Sequence, residues 1–230
     1  MTTKQTLAQI GLSLKTLHGI AFESLMEQVK GTNISFIHLD FMNGTMVKSY
    51  GLSIQECTRI RESTNLPLEA HVMEHTPREM IFYRDLGIDR IVIHHESIGN
   101  KEKMLCDAKA LGMEAGIALK PTSPHNVPDI IHADIVDLVV LMGTKSGSNG
   151  RIYDEYTPSR IKMVRSIYSG PIEVNGGVIT FPNQSPETCP IRKLFLAGAR
   201  LFGIGGGILN LGIPLFDAVQ LNLNAINESI

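Results

Sequence analysis

The stretch Ile34-Ser-Phe-Ile-His-Leu-Asp40 decides the fold, because it is a short apolar run that ends in polar side chains. Such a run is typical of a β-strand that is buried on both faces in a parallel sheet. Similar runs recur along the chain, and segments with the 3.6-residue spacing of amphipathic helices separate them. The eight predicted strands cover residues 9–13, 35–41, 68–71, 90–94, 114–119, 135–141, 172–174 and 201–204.

The strict alternation of strands and helices predicts a parallel sheet covered by helices. Eight such units in 230 residues favour a closed (β/α)8 TIM barrel, a fold that usually takes about 250 residues. An open doubly wound sheet is the alternative. Because no linker or low-complexity segment interrupts the sequence, we expect residues 1–230 to form one barrel domain.

Composition and charge limit the classes of partner. Hydrophobic residues make up 43% of the chain and charged residues 19%, which is enough apolar material for a large core. The 21 Lys and Arg residues nearly balance the 23 Asp and Glu residues. This balance favours neither nucleic acid nor an anionic membrane surface as a partner. The longest uncharged run, residues 201–216, contains five glycines and a proline and is shorter than the ~18 residues of a membrane span.

Cysteine usage indicates a reducing compartment. Cys57, Cys106 and Cys189 are odd in number, far apart and outside any CxxC pattern. This arrangement argues against a disulfide framework and against a thiolate metal site. The amino-terminal residues do not resemble a cleavable signal peptide, so we expect a cytoplasmic protein.

Polar residues at two consecutive strand ends suggest a metal site. His38 and Asp40 are two residues apart and therefore lie on one face of their strand, either in the lumen or towards the helices. His71 ends the next strand, and neighbouring strands are roughly 5 Å apart. Two imidazoles and a carboxylate suit zinc, iron, manganese or cobalt. The alternative is that Asp40 caps the following loop at Asn43 while His38 is a hydrogen-bonded core histidine.

Glycines after the late strands suggest phosphate binding, because backbone N–H groups approach an anion most closely where no side chain intervenes. A single glycine pair is more often only a turn. However, the loops after strands seven and eight are the usual phosphate position in a TIM barrel. The candidate loops contain Gly147 and Gly150, Gly176 and Gly177, and Gly205, Gly206 and Gly207.

Three segments carry a resemblance to a known family. These are Ile37-His-Leu-Asp-Phe-Met-Asn-Gly44, Leu68-Glu-Ala-His-Val-Met73 and Val174-Asn-Gly-Gly177. In order and spacing they are similar to the signature segments of the ribulose-phosphate 3-epimerase family. The resemblance implies a metal-dependent isomerase of pentose phosphate metabolism, which epimerises D-ribulose 5-phosphate and D-xylulose 5-phosphate, or a related phosphosugar, at C3. It also implies a homo-oligomer, since family members commonly self-associate.

The resemblance further implies roles for individual residues. Asp40 would remove the C3 proton as the catalytic base, and the residue at 175 would return a proton from the opposite face. The implied metal ligands are His38, Asp40, His71 and Asn175; the implied sugar contacts are Ser13, His71, Met42, Met73 and Met142; the implied phosphate contacts are Gly147, Gly150, Gly176, Gly177, Gly205 and Gly206.

Asn175 departs from the family, which has its second catalytic aspartate at this position. An amide does not titrate near neutral pH, so it is not a general acid, and losing such a group typically costs ~10²- to 10⁴-fold in rate. Three functions are then open: an epimerase weakened or altered by Asn175; a one-base enediolate enzyme in which Asp40 moves a proton between adjacent carbons or exchanges it without inversion; and a catalytically silent phosphosugar-binding protein. Glu96, next to His94 and His95 at the end of the fourth strand, either supplies a substitute acid or belongs to an ion pair or a solvated loop, and we favour the last two.

Overall fold

The computed structural model describes residues 8–15, 17–123, 130–131, 134–144, 153–185 and 188–227. Eight parallel strands form a closed barrel in chain order, and the last strand pairs with the first. The prediction of a (β/α)8 TIM barrel is therefore confirmed. The strands are β1 (Gln9–Leu14), β2 (Ile34–Phe41), β3 (Leu68–Val72), β4 (Arg90–His94), β5 (Glu114–Leu119), β6 (Leu138–Met142), β7 (Ile172–Asn175) and β8 (Leu201–Ile204).

The sixth strand begins later than predicted. Its expected first residue, Ile135, lies in a turn, and the strand begins at Leu138. Asp137 explains the difference, because its carboxylate accepts a hydrogen bond from the backbone N–H of Ala115 and binds Lys109 Nζ. The apolar residues before Asp137 are buried without being part of the sheet.

Helices follow most of the strands and cover the outside of the barrel. The described helices are α1 (Phe22–Lys30), α2 (Ile54–Ser63), α3 (Met80–Asp85), α4 (Lys101–Ala110), α5 (Thr157–Arg165), α6 (Pro190–Ala197), α7 (Gly206–Leu209) and α8 (Leu215–Asn227). The local sequence determines where α2 begins, because Ser53 and Glu56 form a reciprocal capping box at its first turn. No helix among the described residues combines the length and apolar character that crossing a membrane requires.

Two separate apolar regions fill the molecule. The larger one lies between the strands and the helices, and the smaller one lies inside the barrel. The strand register places the polar residues in the lumen: Asp40 is paired with His71, and Asn175 with Met142. Met142 belongs to the inner apolar region. The choice between lumen and helix layer is thus decided in favour of the lumen.

Candidate metal centre and active site

Three ligand atoms meet at the carboxyl ends of β2 and β3. His38 Nε2 lies 3.4 Å from Asp40 Oδ1 and 3.3 Å from His71 Nδ1, and the distance from His71 Nδ1 to Asp40 Oδ1 is 3.5 Å. In a tetrahedral site with bonds of about 2.1 Å, neighbouring ligand atoms are about 3.4 Å apart. The three atoms therefore outline one face of such a tetrahedron, and these residues fit a divalent metal ion.

The His38 ring is held from below by buried charge. Its Nδ1 lies 2.5 Å from Oε1 of Glu69, and Oε2 of Glu69 accepts a hydrogen bond of 3.1 Å from Arg90 Nη1. Both His38 and Glu69 are shielded from solvent. Because Nδ1 faces a carboxylate, Nε2 is the ring nitrogen that faces Asp40 and His71.

The His71 ring is held from the side by a second chain of contacts. Its Nε2 lies 2.9 Å from Nε2 of His94, whose Nδ1 lies 3.1 Å from Oε2 of Glu96. The hydroxyl of Ser123 donates to the other oxygen of Glu96. Glu96 is therefore the hydrogen-bonding partner of His94 and Ser123 in this chain of contacts.

Burial and charge shift the pKa values of this second chain. Burial lowers the pKa of His71 to about 4, although the hydrogen bond to Asp40 opposes that shift. Burial also lowers the pKa of His94. For Glu96 burial acts in the opposite direction, but hydrogen bonds from His94 and Ser123 prevail and lower its pKa to about 2. At neutral pH this second chain of contacts thus consists of the neutral imidazoles of His71 and His94 and the carboxylate of Glu96.

The first chain of contacts, which runs from Arg90 through Glu69 to His38, is more strongly charged. Burial raises the pKa of Glu69, but His38 and Arg90 outweigh burial and bring it to about 2. Burial lowers the pKa of His38, yet hydrogen bonds to Asp40 and Glu69 leave it well above its ordinary value. The carboxylate of Asp40, opposed by burial but paired with His38 and His71, has a pKa far below its usual range. Without an ion, His38 therefore carries the positive charge of the cluster.

Asn175 completes the cluster from the opposite strand. Its Nδ2 lies 2.8 Å from His38 Nε2, which puts the amide beside the three ligand atoms. Gly203 of β8 is the residue paired with Asn175, and a Cβ at Gly203 would lie 2.5 Å from Asn175 Nδ2. Glycine at 203 is thus required for the amide to reach the centre.

The predicted sugar contacts lie around the same strand ends. Ser13 is paired with His38, and Gly205 packs against the backbone of Ser13. Met42, Met73 and Met142 are all buried. Met142 faces the lumen beside Asn175, and Met42 and Met73 directly follow β2 and β3.

The predicted phosphate loops are described only in part. Gly176 and Gly177 follow β7 directly, both with positive φ, of 91° and 72°. Gly205 precedes α7, whose first residue is Gly206. These two loops follow neighbouring strands of the barrel. Gly147 and Gly150 lie outside the described residues.

Three residues near the cluster were not singled out from the sequence. Glu69 and Glu173 are buried in the lumen, and burial together with the charge of Glu69 raises the pKa of Glu173 well above its ordinary value. Glu69 is two residues before His71, so the period-two pattern contained a signal for it. Gly51 returns to β2, where a Cβ would lie 2.0 Å from the carbonyl oxygen of Asp40. That close approach depends on the loop path and has no local signal.

Fold and site together define a (β/α)8 barrel enzyme with a cation-ligand cluster in the mouth of its lumen. The model of the ribulose-phosphate 3-epimerase family matches residues 9–208, and the chain therefore belongs to that family. This membership confirms the prediction of an epimerase of the isomerase class.

Individual relatives agree with the family assignment. The chain is 30% identical over 193 residues to the chloroplastic ribulose-5-phosphate-3-epimerase of Arabidopsis thaliana, covering 79% of this chain and 68% of the relative. It is 34% identical over 164 residues to the ribulose-phosphate 3-epimerase of Chlamydia pneumoniae, covering 67% of this chain and 69% of the relative.

Solved structures support the fold alone. A tryptophan synthase α-subunit from Pyrococcus furiosus matches with a TM-score of 0.66 and 12% identity, over 96% of this chain and 98% of that subunit. At such low identity the likeness concerns the barrel and not its chemistry.

Proposed function

We propose that this protein is a metal-dependent ketose-phosphate 3-epimerase-like enzyme acting on D-ribulose 5-phosphate and D-xylulose 5-phosphate or a related phosphosugar. The observation that carries the proposal is the triangle of His38 Nε2, Asp40 Oδ1 and His71 Nδ1 with edges of 3.3 to 3.5 Å. Zinc, iron, manganese and cobalt all accept this donor set. Asn175 would add its amide oxygen as a neutral fourth ligand.

In the proposed reaction, separate residues remove the proton and bind the sugar. Asp40 removes the proton from C3, because it is the carboxylate of the triangle and is the member that solvent partly reaches. Ser13 and His71 bind the sugar, and Met42, Met73 and Met142 surround it. A bound divalent ion supplies positive charge that stabilises negative charge developing on the substrate oxygens.

The phosphate would bind at the opposite side of the mouth. Gly176 and Gly177, with Gly205 and Gly206, leave backbone N–H groups free of side-chain obstruction in two neighbouring loops. In the proposed function Gly147 and Gly150 belong to the same phosphate site.

Asn175 supports a second candidate, one-base proton exchange. The residue facing the cluster from β7 is an amide, which does not donate a proton as an acid does. Asp40 would then remove and return the proton on the same face of the sugar, so that exchange occurs without inversion. A phosphosugar-binding protein without catalysis is the third candidate, and it predicts binding with no exchange.

Incubation of D-ribulose 5-phosphate in D₂O with metal-loaded protein distinguishes these functions by NMR. Deuterium at C3 of xylulose 5-phosphate supports the epimerase. Deuterium retained at C3 of ribulose 5-phosphate, with no xylulose 5-phosphate formed, supports one-base exchange. Ligand binding without any deuterium uptake contradicts both enzymes.

The proposed setting follows from the same argument. The three cysteines, Cys57, Cys106 and Cys189, are odd in number and outside any CxxC pattern, which suits a reducing cytoplasm. We propose that the chain acts as one barrel domain over residues 1–230, self-associates as a homo-oligomer, and has a small phosphosugar as its partner. Light scattering coupled to size-exclusion chromatography measures the oligomeric state.

A further inference from the structure

We propose that two carboxylates, buried Glu69 and half-buried Glu96, fix the tautomers of His38 and His71 so that different ring atoms, Nε2 of His38 and Nδ1 of His71, present their lone pairs to one point. Glu69 acts directly, and Glu96 acts through His94. Glu69, Glu96 and His94 are therefore positioning residues, which orient the ligand rings before any substrate arrives. The inference rests on the proposed function, because it concerns the cation that this cluster would hold.

The two contact chains that fix the rings are here called the first and second arm. The first arm is the direct pair of Glu69 and His38. Glu69 is a carboxylate held by Arg90, and a carboxylate only accepts hydrogen bonds. His38 Nδ1, 2.5 Å away, must therefore carry the hydrogen. In neutral imidazole only one nitrogen is protonated, so a cation-bound His38 has its lone pair on Nε2. That atom is the one within 3.4 Å of Asp40 Oδ1.

The second arm connects Glu96 to His71 through the ring of His94. Glu96 accepts from Ser123 and faces His94 Nδ1 at 3.1 Å, so this nitrogen carries a hydrogen. Neutral His94 then has its lone pair on Nε2, which lies 2.9 Å from His71 Nε2. His71 must donate at this contact, and its lone pair is left on Nδ1. Nδ1 is the His71 atom that faces Asp40 and His38.

The two arms reach the same result from different sides of the lumen. Because the hydrogens are fixed from the carboxylate ends inward, neither ring has to turn when a cation binds, and only the second hydrogen of charged His38, on Nε2, has to leave. Carboxylates that hold ligand imidazoles in this way typically contribute 10- to 100-fold to metal affinity. The arms thus prepare the site for a cation.

Zinc affinity, measured by competition with a chromogenic chelator, tests both arms. Glu69→Gln and Glu96→Gln keep the side-chain shape, but an amide both donates and accepts hydrogen bonds. The neighbouring histidine can then adopt either tautomer. We expect each variant to bind zinc about 10- to 100-fold more weakly. Glu69→Asp and Glu96→Asp restore a carboxylate and should recover part of the affinity.

Glu114→Gln is the matched control. Glu114 is the other carboxylate partner of Arg90, is largely exposed and does not contact His38, so its replacement should leave zinc affinity unchanged. Equal zinc affinity in wild type, Glu69→Gln and Glu96→Gln overturns the inference and leaves the proposed function standing. No zinc binding by the wild type overturns the inference together with the metal site of the proposed function.

Nitrogen NMR of the zinc-loaded, ¹⁵N-histidine-labelled protein reads the tautomers directly. We expect the hydrogen of His38 on Nδ1, that of His94 on Nδ1 and that of His71 on Nε2. In Glu96→Gln the His94 and His71 signals should change while those of His38 stay. A wild-type His71 protonated on Nδ1, or a Glu96→Gln spectrum identical to wild type, overturns the second arm.

Discussion

Two sides of the barrel lumen differ in chemistry although the same kind of strand builds both. The lumen side of β2 and β3, here named the polar arc, carries His38, Asp40, Glu69 and His71. The lumen side of β5 and β6, the apolar arc, carries Ala118, Leu138, Val140 and Met142. The difference lies in alternate residues, since the buried outward residues of all four strands are apolar.

The comparison shows how a packed barrel accommodates charge. Each polar-arc residue faces an ionic or hydrogen-bonding partner, as in the contact of Glu69 with Arg90 and His38. Across the lumen, the apolar arc excludes water and so strengthens the electrostatic interactions of the polar arc. The apolar wall is therefore part of the site, although it contributes no ligand.

The largest expected effect is the loss of the base from the polar arc. Asp40→Asn removes the only carboxylate of the ligand triangle, so C3 deuterium exchange should fall by ~10²- to 10⁴-fold. NMR of ribulose 5-phosphate in D₂O measures the rate. Asp217→Asn, on the exposed first turn of α8, should behave as wild type. Unchanged exchange in Asp40→Asn would rule out Asp40 as the base.

The second effect extends the polar arc to β7. Asn175→Asp adds a carboxylate opposite Asp40, and we expect epimerisation to rise by roughly 10²-fold, the low end of the usual contribution of an acid or base. A coupled assay for xylulose 5-phosphate measures turnover. If turnover stays at the wild-type level, Asn175 does not limit the reaction.

The third effect concerns the packing of the apolar ring of Phe36, which lies on β2 beneath the polar arc. Gly11→Ala would place a Cβ 2.2 Å from the ring of Phe36, which is buried in the lumen below Arg90. Overpacking of this kind typically costs 1–3 kcal/mol, so we expect about that loss in the free energy of unfolding, measured with urea.

A glycine outside the lumen is the control for this change. Gly31 has negative φ, and a Cβ there would lie at an ordinary 3.6 Å from its nearest neighbour. Gly31→Ala should change stability by less than about 0.5 kcal/mol. Equal stability of the two variants would mean that the lumen is less tightly packed than described.

The smallest effect is expected for a charge pair outside the barrel. Lys103 and Asp107 form an i,i+4 pair on α4, and both side chains are largely exposed. Because water and salt screen such pairs, Lys103→Ala should leave the urea midpoint within experimental error. A clear drop in the midpoint would contradict the distinction between charge inside and outside the barrel.

The fold and the ligand triangle were predictable because both depend on short periodic patterns. Apolar runs predicted all eight strands, and the period-two spacing put His38 and Asp40 on one face. The supporting residues were harder to predict. The contact between His71 and His94 depends on the register of β3 against β4, and the approach of Gly51 to Asp40 depends on a loop path.

The last helix illustrates the same limit. Asparagine on a helix usually faces solvent, but Asn222 is buried and accepts a hydrogen bond from the backbone N–H of Thr180. It also donates to the carbonyl oxygen of Ala218. A sequence pattern identifies a polar residue but not the distant backbone group that makes its burial favourable.

The pairing of β1 with β8 sets the order in which the molecule can form. Gln9 is paired with Leu201, so the cylinder closes only after almost the whole chain has left the ribosome. Until then β1 has one unpaired edge, and the ring of backbone bonds remains open to strands of other chains. Sequence-distant contacts of this kind slow folding, so the emerging chain depends on prompt completion, or on protection of that edge, to avoid aggregation.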